Sequence, residues 1–390
     1  MHPTFHRDRF TWLAYLSLAF YGYFLNVLGP ITPFLKSELN LTYTVSSLHF
    51  TAFAMGILLV GAGGHLVIER IGQQRSLWLG LFGMSLSTLL LLAGKSPVIT
   101  IGASFLMGCI GSLVLAIVPS ALSYQHGELK AVALSEANSF SSLIATAAPL
   151  MVGWFAGAAG GWRLALAIMA CVPVFMFMAL GKDSSARVVS NSSEESRARH
   201  RLPTQYWMYW GAMVLGVSVE FCMIFWSADY MEQGLGLMKA DAARTVSLFL
   251  AGMILGRLGG SRLVQRNSTR AVVKGSIIIA GIGFLFFWMT QNIWISLFGL
   301  FITGLGTANF YPLILSQAIN SANGNTVQAA ARATLASGTA ILILPMALGS
   351  LADSTNIHQA YGIVVLLLVG VLLIQLVAQR LSVAQGVVAK

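Results

Sequence analysis

The chain has 390 residues, 56% of them hydrophobic and only 9% charged, whereas a soluble domain carries about 25% charged residues. That balance excludes a water-soluble enzyme or binding module. The net charge of +10 must be read through the placement of the loops before it is read as an affinity for nucleic acid.

The first residues, MHPTFHRDRF, form a short charged tail. The apolar run behind them lacks a small-residue cleavage site, so a retained first helix is expected, not a removed signal peptide. Apolar runs of about 20 residues then recur along the chain, the length at which a helix spans a bilayer. They predict helices near 10–35, 45–67, 76–94, 97–122, 135–158 and 162–181, then 206–230, 242–260, 271–290, 293–318, 331–350 and 357–379. Between the two sets, residues 182–205 are too polar and too rich in Ser, Arg and Glu to pack a core. The expectation is an all-α integral membrane protein of twelve transmembrane helices: a six-helix half over 1–181, a cytoplasmic linker over 182–205 and a second six-helix half over 206–390. Cys109, Cys171 and Cys222 all fall inside apolar runs, so they read as small core residues, with no disulfide, metal site or cofactor implied.

With both termini placed in the cytoplasm, only Lys36, Lys95, Arg163, Lys239 and Arg244 face outward, and the other 18 of the 23 cations lie inside. The positive-inside rule predicts that asymmetry. The basic charge therefore reports topology, and no nucleic-acid partner is expected. A bacterial cytoplasmic membrane and a monomer are the expected setting.

Shifting the chain by 196 positions against itself aligns Gly63 with Gly259, Gly64 with Gly260, Arg70 with Arg266, Gly108 with Gly304, Pro149 with Pro345 and Gly153 with Gly349. The halves read as repeats, and parallel repeats of this kind form a cleft near the bilayer midplane that alternating access opens to either side.

The segment Gly64, Glu69, Arg70, Gly72, Arg75 resembles the loop between helices 2 and 3 of the major facilitator superfamily, with a degenerate second copy at Gly260 and Arg266. Gly161, Trp162 and Arg163 before helix 6 and the stretch GRLGGSR from Gly256 to Arg262 are also similar to that family. The resemblance implies secondary transport of a small solute and a gating role for Gly64, Glu69, Arg70, Gly72 and Arg75. The helix 7 stretch GVSVEFCMIFW is similar to the sugar-permease branch that includes the fucose–proton symporters. In those symporters acidic groups on helices 1 and 4 matter. This chain departs from them, offering Asn26 on helix 1 and no acid between Pro97 and Leu122.

An ionised side chain near the bilayer centre costs about 2.5–3.5 kcal/mol on insertion scales, so such residues tend to be functional. Glu220 is the most deeply placed acid. A low-dielectric setting disfavours its charge, so it can take up a proton on one side and release it on the other; the alternative is a neutral acid bonded to a neighbouring helix. Asp229 is half a turn out of phase with Glu220 and is expected at a solvated helix end. Glu136 is expected at the start of helix 5. Arg257, inside helix 8, resembles an arginine that binds the carboxylate in monocarboxylate carriers, against a reading as a snorkelling or gating cation; Arg332 is similarly ambiguous.

Asn26 and Tyr23 on helix 1, Asn138 on helix 5, and Asn309 and Tyr311 on helix 10 belong to small polar faces that either line a cavity for solute or bind helices together. Trp226 either stacks on a sugar ring or anchors the interface. His49 reads as a satisfied polar contact.

No HExxH zinc motif, GxSxG elbow or Walker loop is present in the sequence, which argues against an intramembrane protease or ATP-driven pump. The remaining reading is proton-linked movement of a polar organic solute such as a sugar with Glu220 as coupling acid. Its alternatives are an organic-anion carrier using Arg257 and an exporter of amphipathic drugs.

Overall fold

The computed structural model describes residues 5–158, 160–181, 202–322 and 325–388, and every regular element among them is helical. The first six helices are α1 (Arg9–Leu39), α2 (Tyr43–Ile71), α3 (Gln73–Ala93), α4 (Pro97–His126), α5 (Lys130–Ala156) and α6 (Arg163–Leu180). They are followed by α7 (Thr204–Gln233), α8 (Lys239–Arg266), α9 (Thr269–Met289), α10 (Ile293–Thr307), α11 (Phe310–Asn320), α12 (Thr326–Ser354), α13 (Ile357–Ala360) and α14 (Gly362–Val388).

Local chemistry sets the ends. Asp8 caps α1 by accepting from the Thr11 amide, and Ser268 and Asn356 cap α9 and α13 in the same way; each satisfies a backbone donor that has no partner inside its helix. Gly72 alone links α2 to α3, at φ +86°, a conformation that a residue with a Cβ adopts only under strain.

Eleven helical stretches among the described residues are long and apolar enough to cross a membrane. One of them, Pro97–Ala156, runs 60 residues through the 3₁₀ turn Gly127–Leu129, which is enough for two crossings. The twelve expected spans are thus accounted for. Their limits differ from the sequence reading: α5 begins at Lys130 and α12 at Thr326, because backbone hydrogen bonding continues into polar ends that hydropathy cuts off. α7 begins at Thr204, inside the expected linker, and linker residues 182–201 lie outside the described residues. The tenth span is interrupted at Ala308 and Asn309, which separate α10 from α11.

The described residues divide into two compact units, one from within 1–195 together with 238–244, the other from within 196–237 together with 245–390. In the first, α1 packs on α5, and α3 on α4 and α6; in the second, α7 packs on α12, and α9 on α10 and α14. The correspondence reaches individual residues. A Cβ on Gly108 would collide with the Phe53 carbonyl, and one on Gly304 with the Phe249 carbonyl. A Cβ on Gly56 would meet the Phe105 carbonyl, and one on Gly252 the Phe301 carbonyl. Each pair is related by the same 196-residue shift. Backbones this close need glycine, because small residues are what let helices approach within a membrane.

Candidate functional site

Glu220 lies midway along α7 and turns toward α8, where its Oε1 is 4.0 Å from Nη2 of Arg257. The side chains are unequally covered: 17% of Glu220 and 47% of Arg257 is exposed. At this separation the contact is too long for a hydrogen bond. Coulomb attraction holds the pair, and a proton on Glu220 discharges it. Two residues that sequence reasoning had assigned to rival mechanisms thus belong to one site.

Asn309 occupies the break between α10 and α11. Its Nδ2 donates to the carbonyl of Gly256 at 3.1 Å, one residue before Arg257, and the side chain is buried. Tyr311, two residues on, lies in the first turn of α11 and is half-buried. Trp226 is fully buried and donates from Nε1 to the Pro345 carbonyl at 2.9 Å. Its indole nitrogen thus joins α7 to α12.

Asp229 is the principal correction: it is fully buried, not at a solvated helix end. α7 continues to Gln233, and aromatic side chains roof this end of the helix. The Tyr230 hydroxyl donates to the Trp288 carbonyl at 2.9 Å, and that of Tyr361 to the Cys222 carbonyl at 3.1 Å. The two tyrosine rings lie 4.9 Å apart.

In the first unit, Tyr23 and Ser141 join different helices, whereas Asn26 and Asn138 bond within their own. Tyr23 is buried and donates to the Ala165 carbonyl of α6 at 3.0 Å. Ser141 of α5 donates to the Leu18 carbonyl of α1 at 3.0 Å, and a Cβ on Gly22 would collide with its hydroxyl. Asn26, buried, and Asn138, exposed, each donate from Nδ2 at 2.8 Å to a carbonyl four residues back, Gly22 and Leu134. His49 is satisfied on both nitrogens, by the Ser46 carbonyl and the Thr100 hydroxyl. Of the residues expected to gate, Gly64 is buried, whereas Glu69, Arg70, Gly72 and Arg75 are exposed around the α2–α3 turn. The Ser76 amide and hydroxyl both donate to the Gly72 carbonyl.

Two charge clusters escaped sequence reasoning. Glu136 does not open α5 but lies nearly two turns inside it, where it accepts from Arg7 at 2.8 and 2.6 Å and from the Tyr15 hydroxyl at 3.1 Å. Glu38, near the end of α1, accepts from Trp162 Nε1 at 2.8 Å and from both terminal nitrogens of Arg163 at 2.9 and 2.6 Å. The signal for the second cluster was the Gly161, Trp162, Arg163 triplet, which needs an acid to bind.

Comparison with known proteins fits this architecture. Residues 14–341 match the Major Facilitator Superfamily. An uncharacterised MFS-type transporter of Yersinia pestis is 23% identical over 88% of this chain and 89% of its own. A glucose/galactose transporter of Brucella abortus is 26% identical over 90% and 89%. Among solved structures, a point mutant of the nucleoside transporter NupG superposes with a TM-score of 0.78 at 10% identity, covering 95% of this chain and 98% of its own. A D-xylose–proton symporter gives 0.75 at 14%, covering 94% and 96%.

Proposed function

The chain belongs to the major facilitator superfamily, an integral multi-pass membrane transporter and not an enzyme, and from that premise we propose that it moves a small sugar-like solute by alternating access, coupled to protons through Glu220. The observation that carries this reading is the ion pair between a largely covered Glu220 and a half-exposed Arg257 inside one unit. The attraction between the two exists only while Glu220 is ionised. Protonating Glu220 therefore weakens its hold on Arg257, and re-forming the pair expels the proton. The glucose/galactose transporter and the D-xylose–proton symporter among its relatives support a sugar and a proton as the coupled species. A bacterial cytoplasmic membrane with both termini inside agrees with the distribution of cations.

A second reading is favoured by the exposure of Arg257. A carboxylate on an organic anion can replace Glu220 at the guanidinium, whose planar fork matches it. Both readings use the same pair.

Purified protein in liposomes, offered radiolabelled D-galactose, D-glucose and L-lactate, separates them. With one proton per solute, a gradient of about one pH unit sustains about tenfold accumulation. Accumulation of a sugar is expected, with Glu220→Gln abolishing accumulation while sparing exchange of labelled for unlabelled sugar. Lactate accumulation that Arg257→Lys abolishes supports the anion reading. Sugar accumulation that Glu220→Gln leaves intact overturns the proposed coupling.

A further inference from the structure

The 196-residue register relating the two units places Phe24 where the second has Glu220, Gly61 where it has Arg257 and Leu113 where it has Asn309. The surrounding architecture matches: Gly64 faces Leu113 in the first unit, and Gly260 faces Asn309 in the second. The first unit fills these three positions without a polar atom beyond the backbone, and its α4 runs unbroken through Leu113 where the tenth span is interrupted at Asn309. All three polar residues occur in one unit only, in neighbouring positions.

Asn309 lies in the interruption of the tenth span, and its Nδ2 donates to the Gly256 carbonyl, which belongs to the peptide group whose nitrogen is Arg257's own. An added Cβ at Gly260 would collide with its Oδ1, so the amide is wedged flat against α8. A charge-bearing side chain is held to a productive geometry only when its support is itself fixed. We infer that Asn309 is the positioning residue of the Glu220–Arg257 pair, setting how closely the guanidinium approaches the carboxylate and hence the pH at which the pair opens. This deepens the proposed coupling and rests on it.

The test uses the protonated-carboxyl infrared band of the purified full-length protein, titrated with pH; Glu220→Gln identifies the part of the band that belongs to Glu220. No solute is needed, so a wrong solute in the uptake assay leaves this result standing. Asn309→Leu installs the first unit's residue at a position where that unit packs it, and Asn309→Ala is the companion variant that cannot overpack. In either, the Glu220 midpoint is expected to move by about half a pH unit or more, about a threefold change in proton affinity. In the Glu220→Gln background the same substitutions are expected to leave the remaining titration unchanged. An unshifted midpoint in a folded variant, or an equal shift with Glu220 replaced, overturns the assignment.

Discussion

Glu38 illustrates how one residue fixes a corner of the first unit. Its carboxylate receives three hydrogen bonds from Trp162 and Arg163, and the Arg163 guanidinium lies 4.6 Å from the Trp162 ring centre. Charged hydrogen bonds of this kind are worth about 1.5–3 kcal/mol when covered, but exposed pairs contribute about 0.2–1 kcal/mol. The Arg163 and Glu38 side chains are 41% and 37% exposed, so water screens much of the attraction. Glu38→Ala should therefore cost about 1 kcal/mol, read as a lowered unfolding midpoint of the purified protein, and Glu38→Gln, which keeps an acceptor for Trp162, should cost less. Equal losses in the two variants would mean that charge, not hydrogen bonding, holds this corner. The sequence made Trp162 and Arg163 visible but left Glu38 hidden, since its partners are more than a hundred positions away. Glu220 and Arg257 were hidden from each other for the same reason: each was conspicuous as a charge inside an apolar run, but no spacing rule pairs residues of different helices. Asp229 misled because depth was judged from the expected helix end, whereas α7 runs on to Gln233 and the side chain is fully buried.

At the level of helices, the glycine crossings carry the repeat. Gly108 and Gly304 each sit where a Cβ would enter a facing carbonyl oxygen, whereas Gly259 has open space around it. Overpacking a close contact costs about 1–3 kcal/mol, occasionally more. Gly108→Ala and Gly304→Ala should each lower the unfolding midpoint or the yield of folded protein by similar amounts, and Gly259→Ala should leave both nearly unchanged. A tolerated Gly304→Ala beside a damaging Gly108→Ala would break the equivalence of α2–α4 and α8–α10. The helices themselves were readable from apolar runs, and the repeat from six matched residues. Their contacts were not: the same spacing of small polar residues on α1 and α5 suits a solute cavity and a helix interface alike, and the Ser141 to Leu18 bond shows an interface. The interruption at Asn309 was equally silent, because Ala308 and Asn309 neither charge nor shorten the apolar run.

For the whole molecule, the 196-residue symmetry of backbone packing contrasts with an asymmetry of chemistry. Both units build the same crossings, yet the Glu220–Arg257 pair has only Phe24 and Gly61 opposite it in the repeat. The proposed coupling through Glu220 requires that solute and proton move in a fixed ratio, which a flux measurement reads without structural assumptions. Liposomes containing the protein and an entrapped pH-sensitive dye are given D-galactose or D-glucose from outside, with no imposed gradient and with the membrane potential clamped. Solute-driven acidification of the lumen by the native protein, lost in Glu220→Gln while labelled sugar still equilibrates, is the predicted result. Sugar entry without acidification in the native protein, or acidification that survives Glu220→Gln, contradicts it.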